Sequence, residues 1–156
     1  MSSMAKGLPP FQVYYDEKLN VGYKWYDAKE KPVIFPFGFG LSYSTFEYSD
    51  LVITPGTMTS VTFSVKNTSG TAGNEIAEIY ASLPPQADEP PKRLVGWSRI
   101  KLLPGESKRV SIPIADDRLK IYDEESDNWR LEPGTYTILV GGSSQNLPLK
   151  KSMKLE

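Results

Sequence analysis

The densest set of side chains able to hold a cation or move a proton is the run Asp123, Glu124, Glu125 and Asp127. Carboxylate oxygens suit calcium, but the run lacks the spacing and the glycine of an EF-hand loop. It reads as the solvated tip of a hairpin. Asp116 and Asp117 read the same way, with Asp116 a candidate helix N-cap. Three indoles, Trp25, Trp97 and Trp129, have the flat apolar face on which a pyranose ring stacks. Packing in a core or seam is the plainer reading for all three. Of the three, Trp129, which follows the polar tip, is the first expected to be partly exposed. The chain has no Cys and no His. Disulfides, thiolate nucleophiles, His- or Cys-based zinc sites and a Ser-His-Asp triad are therefore excluded. Gly141–Asn146, GGSSQN, has too few glycines in phase for a phosphate loop. Asn67-Thr68-Ser69 is a glycosylation sequon, and an Asx-type turn explains it more simply. These groups supply no cofactor or metal site, and none is expected.

The elements that must position these groups are strands. From Val61, VTFSVKN alternates, with Val61, Phe63 and Val65 on one face. NTSGTAGN is a turn cluster. EIAEIYASL puts Ile79, Ala81 and Leu83 on one face. PPQADEPPKR cannot continue a ladder. LVGWSRIKL is the next strand, with a bulge expected at Gly96. KRVSIPI turns Val110, Ile112 and Ile114 inward, and Pro113 marks it as an edge strand. LKIYDEESDNWRL is a hairpin. PGTYTILVGGSS brings Tyr136, Ile138 and Val140 inward, and LPLKKSMKL is the last strand. About seven or eight short strands with turn signals between them predict an antiparallel β-sandwich, all-β. No segment sustains a helical period, and ADDRLK is the only candidate for a helical turn. The expected core is Val61, Phe63, Val65, Ile79, Val110, Ile112, Ile114, Tyr136, Ile138 and Val140.

Residues 1–44 differ. They carry Phe11, Tyr14, Tyr15, Tyr23, Trp25, Tyr26, Phe35, Phe37, Phe39 and Tyr43, yet show no alternation. Such a stretch is an extended arm that packs across another surface. The sandwich is assigned to residues 45–156. The opening MSSMAKGLPPFQ has no apolar core of a signal peptide, and no run of apolar residues is long enough to span a membrane. With Lys plus Arg at 18 and Asp plus Glu at 19, net charge is −1. That balance gives no broad basic field for nucleic acid.

VGYKWYD (Val21–Asp27) and FPFGFGLSYSTFEYSDL (Phe35–Leu51) resemble the junction before the C-terminal domain of glycoside hydrolase family 3 enzymes, mostly β-glucosidases and β-xylosidases. VKNTSGTAGNEIAEIY, PPKRLVGWSRIKLLPGESKRVSIPI, IYDEESDNW and EPGTYTILVGGSS follow in the family's order. Together they resemble its fibronectin type III-like domain. Where the family commonly has Gly after the equivalent of Glu17, this chain has Lys18; where it has Arg, this chain has Lys24. The resemblance implies a fibronectin type III-like sandwich with an immunoglobulin-like topology. It also implies a parent enzyme with a (β/α)8-type barrel and an α/β sandwich, secreted or periplasmic. The parent's nucleophile belongs to the barrel, for which 156 residues leave no room. No catalytic residue of the family is therefore placed on this chain.

The implied role is a non-catalytic accessory domain that packs against the parent's catalytic domains and stabilises them. Tyr23, Trp25, Tyr26, Phe35, Phe37, Phe39 and Tyr43 are the candidate seam or self-association residues. Glycosidase activity would require two carboxylates facing one pocket, roughly 5–9.5 Å apart, and none is expected from the chain alone. Two other readings stay open. One is a carbohydrate- or polymer-surface-binding module using Trp97 and Trp129, which exposed, coplanar rings would favour. The other is a free-standing interaction protein. The arm is expected to fold back in part on its own sandwich, with a homodimer through the arm covering the remainder.

Overall fold

The computed structural model describes residues 12–56 and 58–156. Phe11 and the rest of the opening segment lie outside the described residues. Seven strands form two antiparallel sheets. β1 (Phe46–Thr54), β2 (Met58–Asn67) and β5 (Ser107–Ala115) make one, in the order β1-β2-β5. β3 (Gly73–Ser82), β4 (Arg93–Leu102), β8 (Gly134–Gly141) and β9 (Leu149–Leu155) make the other, in the order β4-β3-β8-β9. β6 (Ile121–Asp123) and β7 (Asn128–Arg130) form a separate hairpin between β5 and β8. The chain changes sheet after β2, after β4 and after β5. This connectivity and strand order are those of a fibronectin type III-like sandwich.

Alternation explains the register. Val61, Phe63 and Val65 of β2 pack on Ile112 and Ile114 of β5 and across the sandwich on Ala77, Ile79, Ala81, Tyr136, Ile138 and Val140. Nine of the ten expected core residues are buried; Val110 is half-buried at the margin of the same cluster. The predicted bulge is present: Ile79 pairs with Gly96, and the next β3 residue, Tyr80, pairs with Leu94. A Cβ at Gly96 would meet the Ile114 side chain at 2.7 Å, so the glycine lets the two sheets approach there. β5 is an edge strand, where Pro113 costs no ladder bond. Tyr136 near the start of β8 is fully buried and donates its hydroxyl to the Glu132 carbonyl at 2.8 Å. That bond closes the tyrosine corner of immunoglobulin-like sandwiches.

Three expectations need correction. The first strand begins at Phe46, ahead of the alternation that starts at Val61, because β1 bulges around Asp50 (φ 57°) and its apolar positions fall out of phase. Asp116 does not cap a helix. It opens the 3-10 turn Asp116–Arg118, with Ala115 at the cap position and no side-chain cap. The arm contains a helix, α1 (Tyr23–Ala28). Six residues are too few to display a 3.6 period and too few to be stable alone. Tertiary contacts hold α1 instead. Tyr23 and Asp27, one turn apart and on one face, both point at the sandwich.

The arm also shows how Lys18 replaces glycine. Lys18 has φ 49°, and its N–H donates to the Tyr15 carbonyl at 3.0 Å. The tight turn survives with a side chain in the left-handed region, at about 1–2 kcal/mol. Lys18→Gly removes that strain while making the unfolded chain more flexible. The net gain expected is about 0.5–1 kcal/mol, read from chemical denaturation of the full chain. A loss of stability would mean that the lysine side chain holds the turn. Lys24, at the second departure, forms no ion pair among the described residues.

Candidate functional site

The core-facing residues of β3 are Ala77, Ile79 and Ala81, so Glu78 and Tyr80 project from the opposite, outer face. In a two-layer sandwich that face meets water. Here Tyr80 is fully buried and Glu78 is only 5% exposed. The arm covers them as a third layer. The Tyr23 ring lies edge-on to Tyr80, with centroids 5.6 Å apart, and the Phe37 ring lies 5.3 Å from Tyr23. Gly38, at φ 81°, sits directly on the Glu78 carboxyl: a Cβ there would meet the carboxyl carbon at 2.6 Å.

Polar contacts fix this layer at both ends. The Leu94 N–H, beside the bulge in β4, donates to the Tyr23 hydroxyl at 2.7 Å. Lys92 and Asp27 form a mostly buried ion pair at 2.6 Å. At the other end the Ser144 N–H donates to the Phe37 carbonyl at 2.8 Å. Farther along, the Ser44 hydroxyl donates to the Thr71 carbonyl at 2.9 Å. The GGSSQN loop is thus structural, and its buried Ser144 receives the arm.

Two carboxyl–phenol pairs involve β3: its Glu75 with Tyr48 of β1, and its own Glu78 with Tyr80. Tyr48 donates to Glu75 at 2.6 Å and Tyr80 donates to Glu78 at 2.7 Å. Burial raises both carboxyls above their ordinary range, and the tyrosine bonds offset part of the shift; Glu75 also raises Glu78. Burial raises the Tyr48 and Tyr80 phenols, and the adjoining carboxylates add to it. Sequence reasoning does not find these four residues. Glu78 and Tyr80 at successive outer positions of a strand are the only signal.

The candidate seam residues separate into two groups. Tyr23 turns inward onto the sheet, while Phe37 contacts it and stays half-exposed. Trp25 and Tyr26 pack edge-on against each other on the outer side of α1. Phe35 and Phe39 pair at 5.3 Å on the surface, and Tyr43 is 99% exposed. Leu41, 95% exposed, joins them. Ile34, Phe39 and Leu41 line a groove of about 790 Å³ that continues onto Phe46 and Ile76 of the sheet. Tyr14 and Tyr15 are exposed as well.

Neither sugar-stacking candidate packs in the core. Trp97, on the outer face of β4, is 63% exposed, and Trp129, on β7, is 58% exposed. Trp97 thus departs from the core-packing reading within this chain, whereas Trp129 has the partial exposure expected from its place after the polar tip. Trp129 stands at 68° to Tyr122, so that pair is not coplanar. The acidic run forms the exposed hairpin tip. Ser126 donates to Asp123 at 2.7 Å, Arg130 lies 3.6 Å from Asp123, and Tyr122 bonds Asp127.

The sequon is a buried Asx turn. Asn67 is fully buried; its side-chain oxygen accepts from the Ser69 N–H at 3.0 Å, and its amide donates to the Thr71 carbonyl at 2.8 Å. Folded chain secreted from a glycosylating host is expected to carry an unmodified Asn67 by mass spectrometry. A glycan on soluble, folded material would show that this turn opens.

Residues 75–144 match the fibronectin type III-like domain family. The chain is 36% identical to probable β-glucosidase G of Emericella nidulans over 90% of its length, covering 20% of that protein. It is 38% identical to a β-glucosidase of Bacteroides ovatus, with 85% of this chain and 19% of the relative covered. Among solved structures, DesR, a β-glucosidase from Streptomyces venezuelae in complex with D-glucose, superposes with a TM-score of 0.88 at 32% identity, covering 91% of this chain and 19% of that one. β-Glucosidase 3B from Thermotoga neapolitana gives 0.84 at 37% identity, covering 90% and 20%. The chain spans about a fifth of the length of the relatives it matches.

Proposed function

We propose, from the premise that this chain is a fibronectin type III-like domain of the kind carried by family 3 β-glucosidases, that it is a non-catalytic accessory domain whose arm forms the seam with the parent's catalytic domains. One observation carries the reading. Ile34, Phe35, Leu41 and Tyr43 are held beside an anchored arm and yet exposed to water. Ile34 and Leu41 line one groove with Phe39; exposed apolar surface of this kind marks an interface, and anchoring removes much of the ordering entropy that docking would otherwise cost. The carboxyls support the non-catalytic part. Glu78 lies under Gly38 and is bonded by Tyr80, so it cannot reach a glycosidic oxygen.

Two measurements test the reading. The chain alone is expected to show no turnover of aryl β-glucosides or β-xylosides at high protein concentration. Turnover that disappears on mutating one of its own carboxylates would overturn that part. The double variant Leu41→Asp, Tyr43→Asp should leave the melting of the isolated chain unchanged, because both side chains are already in water. In a full-length β-glucosidase bearing this domain it should weaken docking and shorten the thermal half-life of activity. An unaffected full-length enzyme would reject the seam. Light scattering on the isolated chain distinguishes the other occupant: a dimer abolished by the same double variant would mean that a second copy covers the arm.

The exposure of Trp97 and Trp129 favours one second reading, adhesion to a polysaccharide surface. Retention on cellulose that falls with Trp97→Ala and Trp129→Ala would support it; retention unaltered by both would remove it.

A further inference from the structure

The arm segment 22–38 crosses a sheet face that carries a buried carboxyl, and the covering atoms include a glycine with no side chain to spare. We propose that this segment is a strap whose closure depends on the protonation of Glu78: it lies shut over β3 while the carboxyl carries its proton, and it loosens when the carboxyl ionises.

The geometry leaves the carboxyl little else to do. Gly38 seals it from above, and Tyr80 donates the one hydrogen bond it receives from a side chain. The other groups around it do not neutralise a negative charge. On its own strand Glu75 is a like charge, already bonded by Tyr48 from β1. Tyr23 of α1 is a phenol whose hydroxyl is engaged by the Leu94 N–H. Across the ladders Glu78 faces Trp97 of β4 and Gly141 of β8. Arg99, opposite Ile76, is the next outward residue on β4, and among the described residues no cation forms an ion pair with Glu78. Lys92 is committed to Asp27; Arg93 is committed to Glu89 and the Lys120 carbonyl. An ionised Glu78 would therefore be a desolvated charge, with a second carboxyl three residues along its strand, satisfied by one donor. Opening the strap returns it to water.

The sign follows from linkage. Burial and Glu75 raise the carboxyl in the closed state. Closure is thus fully supported below the carboxyl's open-state pKa and is lost as pH rises through the higher, closed-state value. Each unit between the two values changes the closing equilibrium by about tenfold. The core of the sandwich does not take part, because Ile79 and its neighbours face the other way. The device does not depend on the role proposed for the domain.

The experiment uses the full 156-residue chain. Carbon-13 NMR follows the Glu78 carboxyl with pH, and the Ser144 amide, bonded to the Phe37 carbonyl, reports strap closure in the same titration. Hydrogen exchange, corrected for the intrinsic effect of pH, measures protection across 22–38 and across β2 and β8. The expected result is one shared midpoint for Glu78, Ser144 and strap protection, with β2 and β8 unchanged. Glu78→Gln should keep the strap shut through that range and erase the midpoint. Glu75→Gln should move the midpoint down by removing the like charge. Gly38→Ala, which drives a methyl into the carboxyl, should open the strap at every pH. Strap protection that stays flat while Glu78 titrates, or a midpoint that persists in Glu78→Gln, overturns the proposal. If Glu78→Gln does not fold, the coincidence of midpoints in the unsubstituted chain decides alone.

Discussion

Phe63→Ala is expected to destabilise the chain by about 3–5 kcal/mol. Phe63 is fully buried at the middle of β2, between Val61 and Val65, and the Tyr48 ring stacks on it at 6.1 Å. Its truncation removes transfer free energy and leaves a cavity that the strands cannot close, because both flanking sheets are pinned by their ladders. Native domains are stable by only about 5–15 kcal/mol, so the variant should melt roughly 10 °C or more below the unsubstituted chain. Calorimetry on both decides it. An unchanged melting temperature would mean that the ring does not face the core and that β2 is shifted by one residue.

Gly141→Ala should have the next largest effect, about 3 kcal/mol, at the upper end of what overpacking costs. A Cβ at Gly141 would meet the Asn146 carbonyl carbon and the Leu147 Cα at 2.8 Å. Both are backbone atoms, so no rotamer change relieves the clash and the 142–146 loop must move. That loop holds the Ser144 N–H under the Phe37 carbonyl. The variant should therefore lose protection in the strap as well as global stability. Chemical denaturation measures the second effect and hydrogen exchange at 22–38 the first. Loss of stability with an intact strap would show that the loop gives way on the side away from Phe37.

These two positions differ in how visible they are in the sequence. Phe63 is legible because alternation over VTFSVKN is a local pattern, and one buried sheet face is enough to impose it. Gly141 belongs to a glycine pair that marks the end of a strand, yet nothing local tells which backbone lies against it. The same contrast holds across the molecule. The bulge at Gly96, the edge position of Pro113, the hairpin around the acidic run and the Asx turn at Asn67 all follow from the chemistry of a few adjacent residues. β1 is hidden by its own bulge at Asp50, and α1 by its shortness.

By itself the sequence determined the all-β class, the inward faces of β2, β3, β5 and β8, and the presence of an aromatic arm that needed a surface. It did so because strand alternation and turn chemistry act over a few residues. Only the tertiary structure decided which surface the arm covers, that Glu78 and Tyr80 are buried on a face that would otherwise be wet, and which rings remain in water. Those outcomes rest on partners far apart in the chain: Tyr23 and Leu94 are 71 positions apart, Asp27 and Lys92 65, and Tyr48 and Glu75 27. A carboxyl on an outer strand face looks solvated in every local window. It becomes buried only when a distant segment closes over it, and no periodicity in either segment encodes that meeting.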